Sequence, residues 1–380
     1  QAAADTLQAA VKGGPRNNNF RLNLANIARW TGDFAQARAL LLDILKSETA
    51  SPRTQVDAAE ALAALAVTPQ DAETIAGALA STHNAQKLAR ALIEISQGQS
   101  PEISTKNLYA LTAIAQAHER AGNAEAAIAT WQSVIANAPL VPGSLSSPIV
   151  LNAFIRESTS LALGAREHLV ALHAVRGEVG PSLARARELL SSTRDESDKN
   201  RWLFSVIDSW QKALRPDALR SALQGRTLST GATEDDLRLW LAWQETYGSN
   251  AEIEKAIRTG AIKFPKSAWW QSRLGEHLWN SAQDFKLQDE AKRTLTNQAL
   301  AAINKAAQLE PNQTLYPMQA AQILTQFAKR RQVILDASQS VEDEKRAATA
   351  LDNLQKKWPA DPDVALAVAL GRNALATLPD

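Results

Sequence analysis

The segment 108–140 constrains the fold more than any other part of the sequence, because it has the pattern of two short amphipathic helices joined by a tight turn. Its apolar residues at helical spacing are Leu108, Leu111, Ile114 and Ala115 in the first helix and Ala127, Ile128, Trp131, Val134 and Ile135 in the second. Gly122 lies in the turn, where a chain reversal tolerates a left-handed residue, and Pro139 cannot continue the second helix. Two helices of this length cannot bury their apolar faces alone, so the segment must stack on similar pairs.

This segment resembles a tetratricopeptide (TPR) repeat, a helix–turn–helix unit of about 34 residues. The residues that carry the resemblance are Leu111, Ile114, Ala115, His118, Gly122, Ala127, Trp131, Val134 and Pro139. Gly122 and Pro139 are 17 residues apart, and this spacing helps to find further units. The resemblance implies an all-α, superhelical solenoid of antiparallel helix pairs, either as one array or as two arms divided near 140–150.

The same pattern recurs before and after this segment. It is found around Gly32, and Gly248 and Pro265 are again 17 residues apart. In two later units, insertions separate the predicted helices: one near 282–293, which is rich in charge, and one near 331–342. The patterns divide the chain into an N-terminal TPR-like helical array at 1–140, a degenerate helical-repeat segment at 141–233, and a C-terminal TPR-like array with a capping helix at 234–380.

The composition argues against several classes of partner. The net charge is +1, with 41 basic and 40 acidic residues, so no overall field favours nucleic acid or an anionic membrane. There is no cysteine, which excludes disulfides, thiolate chemistry and cysteine-based zinc sites. No apolar run approaches the roughly 20 residues of a membrane span. We therefore expect no nucleic-acid partner and no membrane insertion of this chain.

The sequence shows no recognisable catalytic constellation. His168 and His173 are five residues apart, so they do not form the i, i+4 pair that binds a metal from one helix face. Phosphate-binding glycine loops and a nucleophile elbow are absent. The neighbours Asp235 and Asp236 are better explained as charges at a helix start, where they interact favourably with the helix dipole. We expect no enzymatic activity, no cofactor and no metal.

Tryptophan is unusually abundant, with ten residues against three tyrosines. The adjacent Trp269 and Trp270 point about 100° apart on a helix, so they cannot both be buried in the same place. By the resemblance, Trp30, Trp269 and Trp279 occupy first-helix positions that line the concave groove. They serve either as an aromatic platform for a peptide or sugar rings, or as packing between repeats.

In TPR proteins the first helices line the concave face and bind peptide segments. Carried over position by position, the resemblance implies a binding face that includes Asn23, Asn26, Arg29, Trp30, Gln116, Glu119, Arg120, Arg238, Trp269, Arg273, Glu276, Trp279 and Gln322, and also Glu245 and Gln319. This mixture suits hydrogen bonding to backbone amides or sugar hydroxyls better than a strongly charged target.

We therefore expect a non-enzymatic scaffold that binds a partner protein or extended peptide in its groove. One alternative is an accessory domain of a cell-envelope polysaccharide assembly or export system, which would favour the periplasm or envelope over the cytoplasm. Another is the regulatory or recruiting part of a larger enzyme whose catalytic portion lies outside these 380 residues. The sequence begins at Gln1 rather than at methionine, so we expect a leader or a larger portion upstream. A glycan binder should show exposed coplanar tryptophans along one groove, whereas a peptide binder should show a ladder of Asn and Arg.

Overall fold

The protein is described by a computed structural model that covers residues 18–47, 49–80, 107–138, 149–193, 195–332 and 337–376. These residues form 17 helices and no strand, so the prediction of an all-α fold is confirmed. The chain forms two compact units, Gln1–Ala222 and Leu223–Asp380. The three predicted segments were defined by the type of repeat rather than by compactness, and this division of the chain stays a prediction.

Among the described residues, unit 1 contains three packed helix pairs and four further helices. Its helices are α1 (Asn18–Trp30), α2 (Phe34–Lys46), α3 (Pro52–Ala63), α4 (Pro69–Leu79), α5 (Leu108–Arg120), α6 (Ala124–Asn137), α7 (Ile149–Arg176), α8 (Val179–Ser192), α9 (Glu196–Lys212) and α10 (Pro216–Thr227), which crosses into unit 2. Helix α1 packs on α2, α5 on α6, and α7 on α8. Successive pairs stack because α2 contacts α3, α3 contacts α5, and α6 contacts α7. Each pair thus covers the apolar face of its neighbour, with Leu41, Leu62 and Ile75 fully buried.

Unit 2 repeats this arrangement with longer helices. They are α11 (Glu234–Tyr247), α12 (Asn250–Lys263), α13 (Ala268–Ser281), α14 (Asp289–Leu309), α15 (Leu315–Gln332), α16 (Ala337–Lys357) and α17 (Pro362–Ala376). The pairs are α11 with α12, α13 with α14, and α15 with α16, and α17 packs on both α15 and α16. Small residues allow close approach between helices, since a Cβ added at Gly260 would overlap the ring of Trp270 and one at Gly275 would overlap Ile303.

Three turns between paired helices have the same backbone geometry. Gly32, Gly122 and Gly177 have φ of 82°, 75° and 75°, in the left-handed region. After Gly122, the N–H of Asn123 donates to the carbonyl of His118 at 2.9 Å, and the equivalent bonds after the other two glycines are both 2.8 Å. These bonds satisfy carbonyls that the helix end leaves free, as in a Schellman motif. The predicted turn at Gly122 is therefore confirmed.

A fourth turn has the same geometry without glycine. Leu214 has a φ of 56°, and the N–H of Arg215 donates to the carbonyl of Trp210 at 3.1 Å. Pro216 then occupies the first turn of α10, where its missing N–H costs no helical hydrogen bond. The turn geometry of the repeats therefore recurs in this part of the degenerate segment.

The two predicted insertions are partly helical. Helix α14 begins at Asp289, inside the predicted insertion 282–293, and α16 begins at Ala337, inside 331–342. Acidic residues at the start of α14 interact favourably with the helix dipole, which explains why a charged segment extends the helix. Of the predicted dividing segment near 140–150, the structure describes only residues 149 and 150, which begin α7.

Candidate functional site

Side chains from the first helices of three successive pairs form a continuous polar row in unit 2. We call it the Arg–Trp row, and its members are Glu234, Arg238 and Glu245 on α11, Trp269, Arg273 and Glu276 on α13, and Gln319 on α15. On α11 the members are 4 and 7 residues apart, and on α13 they are 4 and 3 residues apart. This spacing places the members of each helix on one face.

Arg238 connects α11 to α13. Its guanidinium donates to Glu234 with an Nη2–Oε1 distance of 2.7 Å, and Ser267 Oγ donates to the same oxygen at 2.7 Å. The guanidinium also lies over the ring of Trp269, with Cζ 4.3 Å from the centroid. Because Arg238 is only 5% exposed, water screens these interactions weakly.

Arg273 continues the row from α11 through α13 to α15. It is ion-paired with Glu245 on α11 and, through Nη1, with Glu276 Oε2 at 2.9 Å. Gln319 Nε2 on α15 donates to Glu276 Oε1 at 2.7 Å. Ser272 Oγ in turn donates to Gln319 Oε1 at 2.9 Å. Three helix pairs are thus linked by side chains whose positions are fixed before any partner binds.

The row carries charges of both signs and is partly buried. Burial raises the pKa of the Glu245 carboxyl above its ordinary value, and Glu276 acts in the same direction, although Arg273 opposes the shift. The side chains of Arg273 and Glu276 remain 32% and 35% exposed, so a partner can reach them. Paired charges with accessible edges suit hydrogen bonding to a polypeptide backbone.

The two neighbouring tryptophans have different roles, as their spacing predicts. Trp270 is fully buried, whereas Trp269 is partly exposed and meets it edge to face at 4.7 Å and 88°. Trp279, the other predicted groove residue on α13, instead packs against the hydrophobic core beside α14. All ten tryptophans lie in the described residues, and only Trp30 is largely exposed, at 84%. The row of exposed coplanar rings expected of a glycan binder is therefore not found.

The predicted residues of α1 lie together at the surface of unit 1. Asn23 and Trp30 are exposed, and Asn26 and Arg29 are partly buried. Arg29 Nη1 donates to Asn26 Oδ1 at a long 3.5 Å. Polar groups are available here, but the side chains are held less firmly than those of the Arg–Trp row.

A small cavity of about 130 Å³ lies between α3, α5, α6 and α7 in unit 1. Gln116 lines it, and its Oε1 atom is buried without a hydrogen-bond partner. His168 forms another wall, stacks on Trp131 with centroids 4.3 Å apart, and contacts Glu119 through Nδ1 at 2.9 Å. The structure thus brings Gln116 and Glu119 together near one small cavity, which is large enough for ordered water.

The remaining predicted residues stand apart from these groups. Arg120 is exposed at the end of α5, and Gln322 is exposed on α15, one turn beyond Gln319. Sequence reasoning missed Glu234 and Ser267 as members or supports of the row. The signal for Ser267 was its position before α13, where its Oγ caps the helix by accepting from Trp270 N at 3.4 Å.

Within the part of the chain that the structure describes, no helix is both long and apolar enough to cross a membrane. The same residues contain no group of three or more His, Asp or Glu side chains that could hold a metal ion.

The similarity of this chain to known proteins is low. No protein-family model matches the sequence, and no curated protein matches it. The human IFIT1 dimer with m7Gppp-AAAA is 11% identical, with a TM-score of 0.32, covering 99% of this chain and 80% of that chain. The structure of Naa15/Naa10 bound to HypK-THB is 11% identical, with a TM-score of 0.28, covering 98% of this chain and 65% of that chain. TM-scores at this level do not identify a common fold, so the assignment of an all-α fold rests on the helices and turns described above.

Proposed function

We propose that this chain is a non-enzymatic helical-repeat scaffold of the TPR type, which binds an extended segment of a partner protein along the Arg–Trp row. The recurring turns at Gly32, Gly122 and Gly177 support the TPR-type repeat, since the same left-handed glycine and the same hydrogen bond end the first helix of three pairs in unit 1. The row lies on first helices, which is where TPR proteins bind peptides.

The observation that carries the proposal is the position of Arg273 between two carboxylates. Its pairs with Glu245 and Glu276 hold the guanidinium in place, while about a third of the side chain stays exposed. A donor fixed in this way loses little side-chain entropy when it binds a backbone carbonyl. Glu276 offers an acceptor for a backbone N–H beside it, so the row can pair with both groups of an extended chain.

The experiment is selection of a displayed random peptide library on the immobilised full chain. Enriched peptides are then synthesised and their affinities are measured by titration calorimetry with wild-type protein and with Arg273→Ala and Trp269→Ala. We expect each substitution to weaken binding by about 10-fold or more, since preorganised contacts near the centre of an interface dominate affinity.

Arg258→Ala is the matched control, because Arg258 on α12 forms a comparable ion pair with Glu254 at 2.7 Å outside the row. It should bind the peptides as wild type does, and circular dichroism should show equal helicity for all variants. Peptides that bind Arg273→Ala and Trp269→Ala as tightly as wild type would refute the row as the site. A glycan array run in parallel would favour the polysaccharide alternative if glycans bound and no peptide was enriched.

A further inference from the structure

A second surface lies in unit 2 on the other side of α15. It is a groove of about 580 Å³ in which α14 and α16 flank α15. Pro317 and Leu324 line it, and at about 100° per residue they lie roughly 160° and 140° around the helix from Gln319. This groove, which we call the α15 groove, is therefore separate from the Arg–Trp row.

The floor of the α15 groove is apolar. Leu300 from α14, Pro317 and Leu324 from α15 and Leu354 from α16 contribute to it. Its volume is within the range of 300–1,000 Å³ that is typical of ligand sites. Burial of one or two bulky apolar side chains in such a floor would be favourable.

The rim of the groove is positively charged. Lys345, Arg346 and Lys357 line it, against a single carboxylate from Glu342. Arg346 is 3.6 Å from the buried Asp343, which Arg293 also approaches at 3.7 Å. Because Asp343 is shared between two arginines, it does not cancel the charge of the rim.

The lysines of the rim differ in how they are held. Lys357 donates from Nζ to the carbonyl of Pro311 at 2.9 Å, and it lies 4.2 Å from the ring centroid of Trp358. Lys345 is exposed and forms no ion pair within the described part of the chain. An anionic side chain could therefore pair with Lys345 without breaking an existing contact among the described residues.

We propose that the α15 groove binds an extended acidic segment of a partner protein, in which carboxylate side chains alternate with bulky apolar ones. In an extended segment successive side chains point to opposite sides, so apolar groups can reach the floor while carboxylates reach the rim. The rim runs along α16 from Glu342 to Lys357, about 22 Å at 1.5 Å per residue, which matches about seven extended residues.

The same features disfavour single-stranded nucleic acid as the occupant. Binding of that kind relies on bases stacking on open aromatic faces. Trp358 is the aromatic side chain of the groove lining. Lys357 lies over its ring, and the Trp358 side chain packs against the core that contains Leu351 and Val364. The groove thus offers charge and an apolar floor, but no open ring.

The test is fluorescence anisotropy of the full chain with a fluorescein-labelled peptide of about eight residues that alternates Glu and Leu. Wild type should bind it, and binding should weaken as salt is raised. Lys345→Glu should weaken binding by about 5-fold or more, because it reverses the charge of the least constrained cation of the rim. Lys356→Glu is the matched control, since it makes the same charge change on α16 outside the groove lining, and it should change binding by less than about 2-fold.

Peptide variants separate the two parts of the site. Replacing every Leu by Ser should weaken binding through the floor, and replacing every Glu by Lys should abolish it. No binding by wild type, equal binding by Lys345→Glu and wild type, or tighter binding of a labelled oligouridylate than of the peptide would each overturn the proposal. Arg273→Ala should bind the peptide as wild type does, so this outcome is independent of the proposed function of the Arg–Trp row.

Discussion

The guanidinium of Arg238 on α11 lies over the indole of Trp269 on α13, with Cζ 4.3 Å from the ring centroid. Arg273 approaches the same ring at 5.9 Å, and Trp270 meets it edge to face. Trp269 is thus held by contacts on several sides while part of the ring stays accessible. This contact joins two helix pairs of unit 2 within the candidate site, so its strength can be measured independently of any partner.

We expect the Arg238–Trp269 contact to contribute a coupling free energy of about 1–2 kcal/mol, because Arg238 is nearly buried and a desolvated cation–π pair is stronger than an exposed one. The measurement is a double-mutant cycle with Arg238→Met and Trp269→Leu, using urea unfolding followed by circular dichroism.

The matched control is the pair Arg201 and Trp202 in unit 1, which has the same 4.3 Å distance. Arg201 is 63% exposed, so the coupling there should stay below about 1 kcal/mol. Equal coupling at the two sites would contradict the view that burial strengthens the contact in the row.

Leu214 and Gly122 occupy equivalent turns in unit 1, and exchanging their residue types should change stability in opposite directions. Gly122→Leu should destabilise the chain by about 1–2 kcal/mol, because a side chain at positive φ clashes with the following carbonyl. Leu214→Gly should stabilise it by up to about 1 kcal/mol, since it removes that clash at a side chain that is 88% exposed and loses little burial.

Thermal unfolding followed by circular dichroism measures both effects of this exchange. Apart from Gly122 itself and its two chain neighbours, nothing lies within 4 Å of a Cβ built at Gly122, so a fall in its melting temperature reports local backbone strain rather than overlap with another part of the fold. A lower melting temperature for Leu214→Gly would show that the Leu214 side chain contributes more than its strain costs.

The all-α fold could be predicted because apolar spacing and left-handed glycines are visible in the sequence. The turn at Leu214 was not recognised as equivalent, since leucine carries no signal for positive φ and adopts it here because the hydrogen bond between Arg215 and Trp210 closes the turn. The helical part of the charged insertion at 282–293 was missed for a related reason: charge marks an exposed surface, whether it is helix or loop.

The sequence predicted which residues of the candidate site share a helix face, but it did not predict their contacts with other helices. Arg238, Trp269, Arg273 and Glu276 were placed on one face by the repeat pattern, and they do contact one another. Their partners on other helices, such as Glu245 and Gln319, depend on the register between helix pairs, which spacing along one helix does not reveal. Trp279 is three residues beyond Glu276, so spacing alone does not separate it from the row, and its packing against the core beside α14 depends on contacts between helices.

His277 on α13 should make the stability of unit 2 sensitive to mild acid. Burial lowers its pKa below the ordinary value of 6.5, and Arg258 and Arg273 act in the same direction, although Glu254 opposes the shift. Below about pH 6.5 the unfolded chain therefore binds a proton more readily than the folded chain, so the free energy of unfolding falls as the pH decreases through this range. His277→Gln removes this proton, and its stability should fall less than that of wild type between about pH 7 and pH 5. Urea unfolding at several pH values measures the difference, and parallel curves for the two proteins would show that His277 titrates alike in the folded and unfolded states.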